Sequence, residues 1–373
     1  MKENVHVHYL KRTLLLAKKG LGLVSPNPMV GALIVRGNKV VGSGFHEFFG
    51  GPHAEVNAIN MAGEKAKGAR LYINLEPCCH WGKTPPCTDV IIRSGINEVV
   101  ACMEDPNPLV SGKGFGILKK NGIKVQQGFL LEEAHRLNES YLVHVKKKRS
   151  FITLKWAMTL DGKIADMYGF SSWITNENAR LYAKNLRFEY DGILVGINTI
   201  ERDNPFLDYI SPQFQVKKEI IKRKTWTKII LDGSLKTKPD ANIFKNEMSK
   251  IIIFTSNNNN AEQKKYSPNT EVVAVHLENG KLKIEEVINE VYQRNIGKIL
   301  VEGGTKILTS FWEKNFRDNM YIFIGNKIIG GNATFPPIDG EVVKSLTEEQ
   351  DIEIEEVKEI NGNVLLLCRA KNN

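Results

Sequence analysis

No window of this 373-residue chain holds 18 consecutive apolar residues. A membrane-spanning helix needs roughly 20, so none is expected. The opening Met1-Lys2-Glu3-Asn4-Val5-His6 lacks the apolar core of a secretory signal, and a cytoplasmic location is expected. Neither G-x-x-x-x-G-K-[ST] nor G-x-G-x-x-G occurs, which removes the two commonest sequence grounds for nucleotide binding. Cysteine is scarce and odd in number: Cys78, Cys79, Cys87, Cys102 and Cys368. Three of them crowd between positions 78 and 87, a poor disulfide framework and a fair metal site.

What is present is an ordinary globular composition, 42% hydrophobic and 25% charged. At about 150 residues per domain, the length calls for two domains. The net charge of +9 is unevenly placed. Residues 1–150 carry 21 Lys+Arg against 12 Asp+Glu, whereas residues 151–373 carry 30 of each. Such an excess attracts an anion, either nucleic acid or a small phosphate ester, or else marks a solvated basic face. The run Lys146-Lys147-Lys148-Arg149 is the best boundary, giving domains 1–148 and 149–373.

Both halves read as α/β. In the first, Val30–Val35 and Lys39–Phe45 form a hairpin across Gly37-Asn38, and Arg70–Leu75 and Glu98–Cys102 are strands. Helices are expected over 54–62, 88–94, 114–120 and 131–145. In the second, strands fall at 151–158, 192–195, 229–231, 251–255, 272–275 and 299–301. Helices fall at 177–186, 284–293 and 305–312. Asn257–Asn260 reads as a surface loop.

The sharpest chemical pattern is His53-Ala54-Glu55, then Pro77-Cys78-Cys79, then Pro86-Cys87. A catalytic zinc takes three nitrogen or sulfur ligands and keeps one position open. His53, Cys78 and Cys87 supply that set, although Cys79 or His80 could replace one of them. A carboxylate two residues from the histidine can move a proton from water to a leaving amine, the arrangement of zinc deaminases. Glu55 is therefore the expected catalytic residue.

Around this pattern stand Ser25-Pro26-Asn27-Pro28-Met29-Val30-Gly31, Gly44-Phe45-His46, Gly50-Gly51-Pro52, Lys83-Thr84-Pro85-Pro86 and Glu104-Asp105-Pro106-Asn107-Pro108. The second half carries Lys155-Trp156-Ala157 running into Leu160-Asp161-Gly162-Lys163, then Ser171-Ser172-Trp173, Asp203-Asn204-Pro205-Phe206-Leu207 and Glu302-Gly303-Gly304-Thr305. Together they resemble the bifunctional riboflavin-biosynthesis deaminase/reductase family over nearly the whole chain. The resemblance implies a cytidine-deaminase-like α/β/α domain followed by a dihydrofolate-reductase-like α/β domain, with Zn2+ and NADPH as cofactors.

It also implies site residues. Asn27, His46, Lys83 and Thr84 would hold the deaminase substrate. Lys155, Ser171, Arg187, Leu207 and Glu302 would face the reductase substrate. Ala157, Trp173, Thr199, Asp203 and Gly304 would face NADPH. Where the family often has an arginine after Asn-Pro-x-Leu, this chain has Asp208-Tyr209-Ile210; the residue that replaces it is left open, with Lys217 and Lys218 the neighbouring lysines. The implied partner is a small phosphoribosylaminopyrimidine, with no nucleic acid or membrane, in a homo-oligomer. Two other readings remain at this stage: a nucleic-acid base deaminase, and an inactive zinc-stabilised binding module.

Overall fold

The computed structural model describes residues 4–82, 85–210, 218–256, 265–331, 335–340 and 352–371. The expected loop at Asn257–Asn260 lies outside them. The chain divides into two compact units: Met1–Arg149 with Gln215–Lys224, and Ser150–Phe214 with Thr225–Asn373.

Unit 1 runs α1 (Val5–Ala17), β1 (Gly31–Arg36), β2 (Lys39–Phe45), α2 (Ala54–Ala62), β3 (Arg70–Leu75), α3 (Cys87–Arg93), β4 (Glu98–Met103), α4 (Lys113–Lys120), β5 (Lys124–Gln126), α5 (Leu131–Leu137) and α6 (Glu139–Lys146). Its sheet order is β2-β1-β3-β4-β5. The β1 hairpin with β2 and its pairing with β3 are antiparallel; β3, β4 and β5 are mutually parallel. Successive strand residues point to opposite faces, so Ala32 and Ile34 join a core with Ala58, Ile91 and Phe115 on one face. Leu33 and Val35 join Leu10, Leu14 and Ala134 on the other. The result is an α/β/α sandwich.

Two glycines set how closely α2 approaches the sheet. A Cβ on Gly42 would lie 2.2 Å from the Ala58 carbonyl oxygen, and one on Gly44 would lie 2.6 Å from that of Ala54. Only glycine permits this contact, and the contact fixes the start of α2 beside the sheet.

The expected single helix over 131–145 is broken at Asn138. Its buried amide accepts from the Met29 amide at 2.7 Å and donates to the Met29 carbonyl at 3.0 Å. Asn74 donates to the same carbonyl at 2.9 Å and accepts from Gly31 N–H at 2.8 Å. The two amides clamp the segment that follows Asn27.

Unit 2 contributes β6 (Phe151–Met158), α7 (Glu177–Leu186), β7 (Gly192–Gly196) and α8 (Ile197–Asp203). The short α9 (Lys218–Ile221) is counted with unit 1. Unit 2 resumes with β8 (Thr227–Leu231), β9 (Lys250–Thr255), β10 (Thr270–Ala274), β11 (Leu277–Glu278), β12 (Lys281–Leu282), α10 (Ile284–Gln293) and β13 (Lys298–Glu302). It ends with α11 (Thr305–Glu313), β14 (Asn319–Ile324), β15 (Ile352–Ile360) and β16 (Asn363–Ala370). The large sheet has the order β10-β9-β8-β7-β13-β6-β14-β16-β15. All neighbours are parallel except β16, which runs antiparallel to both β14 and β15. Apolar cores cover both faces: Ile152, Leu194, Ile229 and Val301 on one, Ile193, Val195, Ile230 and Leu300 on the other.

Candidate active sites

In unit 1 three ends of secondary structure converge. His53 precedes α2 and Glu55 lies in its first turn. Cys78 follows β3, and Cys87 is the first residue of α3. The ligand atoms of His53, Cys78 and Cys87 all lie within 4.8 Å of one another. His53 Nδ1 is 3.2 Å from Cys87 Sγ and 3.5 Å from Cys78 Sγ. Tetrahedral zinc with ordinary bond lengths sets such atoms roughly 3.5–3.8 Å apart, so the donor set fits that ion.

The electrostatics suit a cation. The Cys78 thiol is drawn down to about 4 by hydrogen bonding from Cys87 and then from His53. Cys87 is raised because its proton serves Cys78, and His53 is raised by its bond to Cys78. Glu55 is 3% exposed, and burial pushes its carboxyl up to about 7. It is within hydrogen-bonding reach of Cys87. Cys79 stands outside the cluster, with its thiol 3.7 Å from the Leu109 carbonyl oxygen.

These groups open on a cavity of about 240 Å³, whose wall includes Asn27, His46, His53, Glu55 and Cys78. His46 Nδ1 donates to the Pro52 carbonyl at 3.0 Å, which leaves Nε2 to accept from the Asn27 amide at 3.2 Å. Burial lowers His46 to about 4, so the ring is neutral and this tautomer persists. Lys83 and Thr84 lie outside the described residues.

Sequence reasoning gave no role to three groups on the same wall, Glu76, Asp105 and Tyr141; His80, weighed there as an alternative ligand, lies on it too. Glu76 accepts from the amides of Asp105, Gly112 and Phe115 at 2.9–3.1 Å, which ties the 104–112 loop to the end of β3. Asp105, pushed up to about 6 by burial, accepts from the Tyr141 hydroxyl at 2.8 Å. His80 Nδ1 is buried without a hydrogen-bond partner among the described residues. The Asp105-Pro106-Asn107 motif was the signal for Asp105; nothing local marks Glu76, whose role comes from partners about 30–40 residues ahead.

In unit 2 the C-terminal ends of β6, β7 and β13 lie side by side, the edge where parallel sheets bind ligands. Register sets Lys155 opposite Glu302. Arg187 grips both oxygens of Glu302, at 3.1 and 3.2 Å, and also donates to the Asp208 carbonyl at 3.0 Å. Lys155 Nζ adds a 3.7 Å ion pair. Glu302 is largely buried, which opposes ionisation, yet Arg187 and Lys155 together hold it at about 2. Leu207 is buried at φ 56° and its carbonyl accepts from Trp226 Nε1 at 3.1 Å.

Lys155, Arg187, Leu207 and Glu302 are thus brought together. Ala157 lies two residues past Lys155 on the same face of β6. Ser171 and Trp173 are exposed ahead of α7; no hydrogen bond or ion pair among the described residues joins them to Glu302. The guanidinium of Arg180 stacks on Trp173 at 4.1 Å. Thr199 and Asp203 lie on α8, directly after β7. Gly304 caps α11, and a Cβ there would meet nothing within 4 Å. Gly303 by contrast is packed, its Cβ position 2.8 Å from Ile307. Open space before a helix N-terminus fits a phosphate-bearing cofactor.

Of the two lysines named for the missing arginine, Lys217 lies outside the described residues and Lys218 is counted with unit 1. The cation beside Asp208 is the fully buried Lys228, at 2.8 Å from its carboxylate.

A three-ligand His/Cys/Cys cluster with a buried carboxyl in an α/β/α sandwich defines a zinc-dependent deaminase, here joined in one chain to a reductase-type parallel sheet. Residues 3–103 match the cytidine and deoxycytidylate deaminase zinc-binding region, and residues 150–366 match the RibD C-terminal domain. The riboflavin biosynthesis protein RibD of Aquifex aeolicus is 39% identical over 369 residues, covering 99% of each chain. That of Escherichia coli is 31% identical, covering 96% of this chain and 98% of its own. The crystal structure of a Thermotoga maritima diaminohydroxyphosphoribosylaminopyrimidine deaminase/5-amino-6-(5-phosphoribosylamino)uracil reductase is 36% identical, with a TM-score of 0.82 over 98% of this chain and 99% of that one. The chain belongs to the RibD family of riboflavin biosynthesis proteins. It is a bifunctional enzyme, a hydrolytic deaminase and a reductase, with a cytidine-deaminase-like and a dihydrofolate-reductase-like domain. Zn2+ and NADPH are the cofactors those two domains imply. No described helix is long and apolar enough to cross a membrane.

Proposed function

We propose that residues 1–148 deaminate 2,5-diamino-6-(5-phosphoribosylamino)pyrimidin-4-one and that residues 149–373 reduce the ribosyl group of the product to ribityl. The observation that carries the first step is Glu55 buried beside the His53/Cys78/Cys87 cluster. Zinc held by those three residues supplies Lewis-acid activation of water near neutral pH. Glu55 takes the proton from the attacking water and returns it to the leaving amine. A C–O bond forms, the C–N bond breaks, and ammonia departs. A carboxyl held near 7 suits both halves of that transfer. Asn27 and neutral His46 orient the base, with Lys83 and Thr84 as further substrate contacts.

In the reductase, NADPH supplies hydride. Bound there, it would supply the chemistry for reducing the open-chain imine at C1, the accompanying proton coming from solvent. Lys155 and Arg187 carry positive charge at the strand ends, where a phosphate ester would be held. Ser171, Leu207 and Glu302 complete the substrate set. Ala157, Trp173, Thr199, Asp203 and Gly304 hold NADPH, the space before Gly304 taking a phosphate.

The reading includes a cytoplasmic homo-oligomer acting on a small molecule. Edge strand β15 leaves Ile352, Ile354 and Val357 exposed, a surface that assembly would cover. The decisive experiment incubates the zinc-loaded enzyme with the diaminopyrimidine phosphate, with and without NADPH, and weighs the products. Replacement of one amine by oxygen is expected without NADPH, and addition of two hydrogens with it. Unchanged substrate in both samples would reject the assignment.

A further inference from the structure

The stretch of deaminase cavity wall that carries Asn27 is irregular chain, since β1 begins only at Gly31. Pro26 and Pro28 flank Asn27 and have no backbone N–H to give. Backbone bonds tie its two ends: Asn27 N–H donates to the Val24 carbonyl and His46 N–H to the Val30 carbonyl, both at 2.9 Å. The polar groups of Met29, between them, are met by side chains.

Asn138 meets both. Its Oδ1 accepts from Met29 N–H at 2.7 Å and its Nδ2 donates to the Met29 carbonyl at 3.0 Å, from 109 residues away in sequence. A carboxamide can serve the donor and the acceptor of one residue at once; a carboxylate lacks the donor, and an aliphatic side chain lacks both. The helix gives up its regularity at this point. Asn138 stands between α5 and α6 at φ −106° and ψ 20°, its own N–H shared between the Ala134 and His135 carbonyls. Asparagine is a poor helix former, and its buried amide would be destabilising without these partners. Tyr141, in the first turn of α6, donates to Asp105 at 2.8 Å, and Asp105 lines the same cavity. One helix start therefore braces two stretches of wall.

Asn138 does not itself line the cavity. Its reach is through Met29 to Asn27, whose amide donates to His46 Nε2 at 3.2 Å. His46 is in turn fixed by the Pro52 carbonyl, next to His53. A displaced Met29 would carry Asn27 away from His46.

We propose that Asn138 is a positioning residue for deamination: it holds Met29 so that Asn27 meets the pyrimidine base beside His46. This rests on the reading that Asn27 holds the deaminase substrate.

The test is a double-mutant cycle between positions 27 and 138, using the full-length, zinc-loaded enzyme and the diaminopyrimidine phosphate. Asn138→Asp keeps the acceptor for Met29 N–H but sets a carboxylate oxygen against the Met29 carbonyl. It should raise KM about ten-fold, the effect of one lost hydrogen bond, while kcat holds within about three-fold. Asn138→Ser, which keeps a donor and an acceptor, should lose less. Asn27→Ala should raise KM by at least as much as Asn138→Asp. Adding Asn138→Asp to Asn27→Ala should then change KM by less than about two-fold, because the route to the base is already cut. Zinc content and reduction of pre-deaminated substrate should match wild type in both Asn138 variants. Additive effects in the cycle overturn the proposal, since Asn138 would then act by another route. An unchanged KM in Asn138→Asp overturns it, as does loss of zinc in both Asn138 variants, which would assign the residue to the fold alone. A normal KM in Asn27→Ala overturns it together with the role of Asn27. A wild-type enzyme that leaves the compound unchanged overturns it together with the functional reading.

Discussion

The two active sites are built on different scales of sequence. In unit 1 the candidate metal ligands and Glu55 fall between positions 53 and 87, at the ends of three adjacent elements. In unit 2 the corresponding ion cluster joins Lys155, Arg187 and Glu302, the last two separated by 115 residues. The first is a local device, in which helix starts aim side chains at one point. The second is a product of sheet order, because β13 lies beside β6 only through long crossovers. The local site leaves a motif in the sequence. The distributed one leaves single residues that gain meaning from register.

That contrast can be broken most forcefully at the metal. Cys87→Ser should abolish stoichiometric zinc and reduce deamination by about a thousand-fold or more. Reduction of pre-deaminated substrate should be unchanged; metal analysis and separate assays of the two steps would check this. Loss of both activities would mean that the sites are not independent.

Glu55→Gln comes next. It should retain zinc and fold but lose deamination by about 10²–10⁴-fold, the usual contribution of a general acid–base group. Single-turnover product analysis is the measurement, and near-normal deamination would remove Glu55 from the proton path.

Acid should act on unit 2 through Glu302. Its carboxyl sits at about 2 when folded, below the ordinary 4.5, because of Arg187 and Lys155. The stabilisation is therefore present above about pH 4.5 and is lost as pH falls toward 2. The linkage amounts to about 3 kcal/mol. Chemical denaturation of wild type and Glu302→Gln across this range should show a fall in the former that is blunted in the latter. Parallel curves would deny the ion cluster a stabilising role.

The smallest effect belongs to Cys79→Ser. Its thiol is outside the cluster, so zinc content should hold and stability should move by less than about 0.5 kcal/mol. Loss of zinc in this variant, with retention in Cys87→Ser, would reverse the ligand assignment.

Elements with strong periodicity were legible in advance. The hairpin across Gly37-Asn38, the helices at 54–62, 177–186 and 284–293, and the strand at 151–158 stand where patterning puts them. Others were not. The opening Val-His-Val-His alternation suits a strand, yet α1 begins there, capped by Asn4 and held by Leu10 and Leu14 against the sheet. β15 reads Ile-Glu-Ile-Glu-Glu-Val-Lys-Glu-Ile, rich in residues disfavoured in strands. It is a strand because β16 offers a free edge, and its charges blunt the new edge it creates. Likewise nothing local announces that Asn138 breaks a helix in order to clamp Met29.

By itself the sequence determined the two-domain α/β plan, the candidate metal donors that the fold brings together and the neighbouring carboxyl, since each rests on spacing within a few turns or strands. Tertiary structure alone decided which cation stands beside Asp208, which carboxylates wall the deaminase cavity, and that Gln215–Lys224 joins unit 1. Those outcomes depend on which distant surfaces bury one another. Burial and pairing are properties of the packed chain, and no window of sequence contains them.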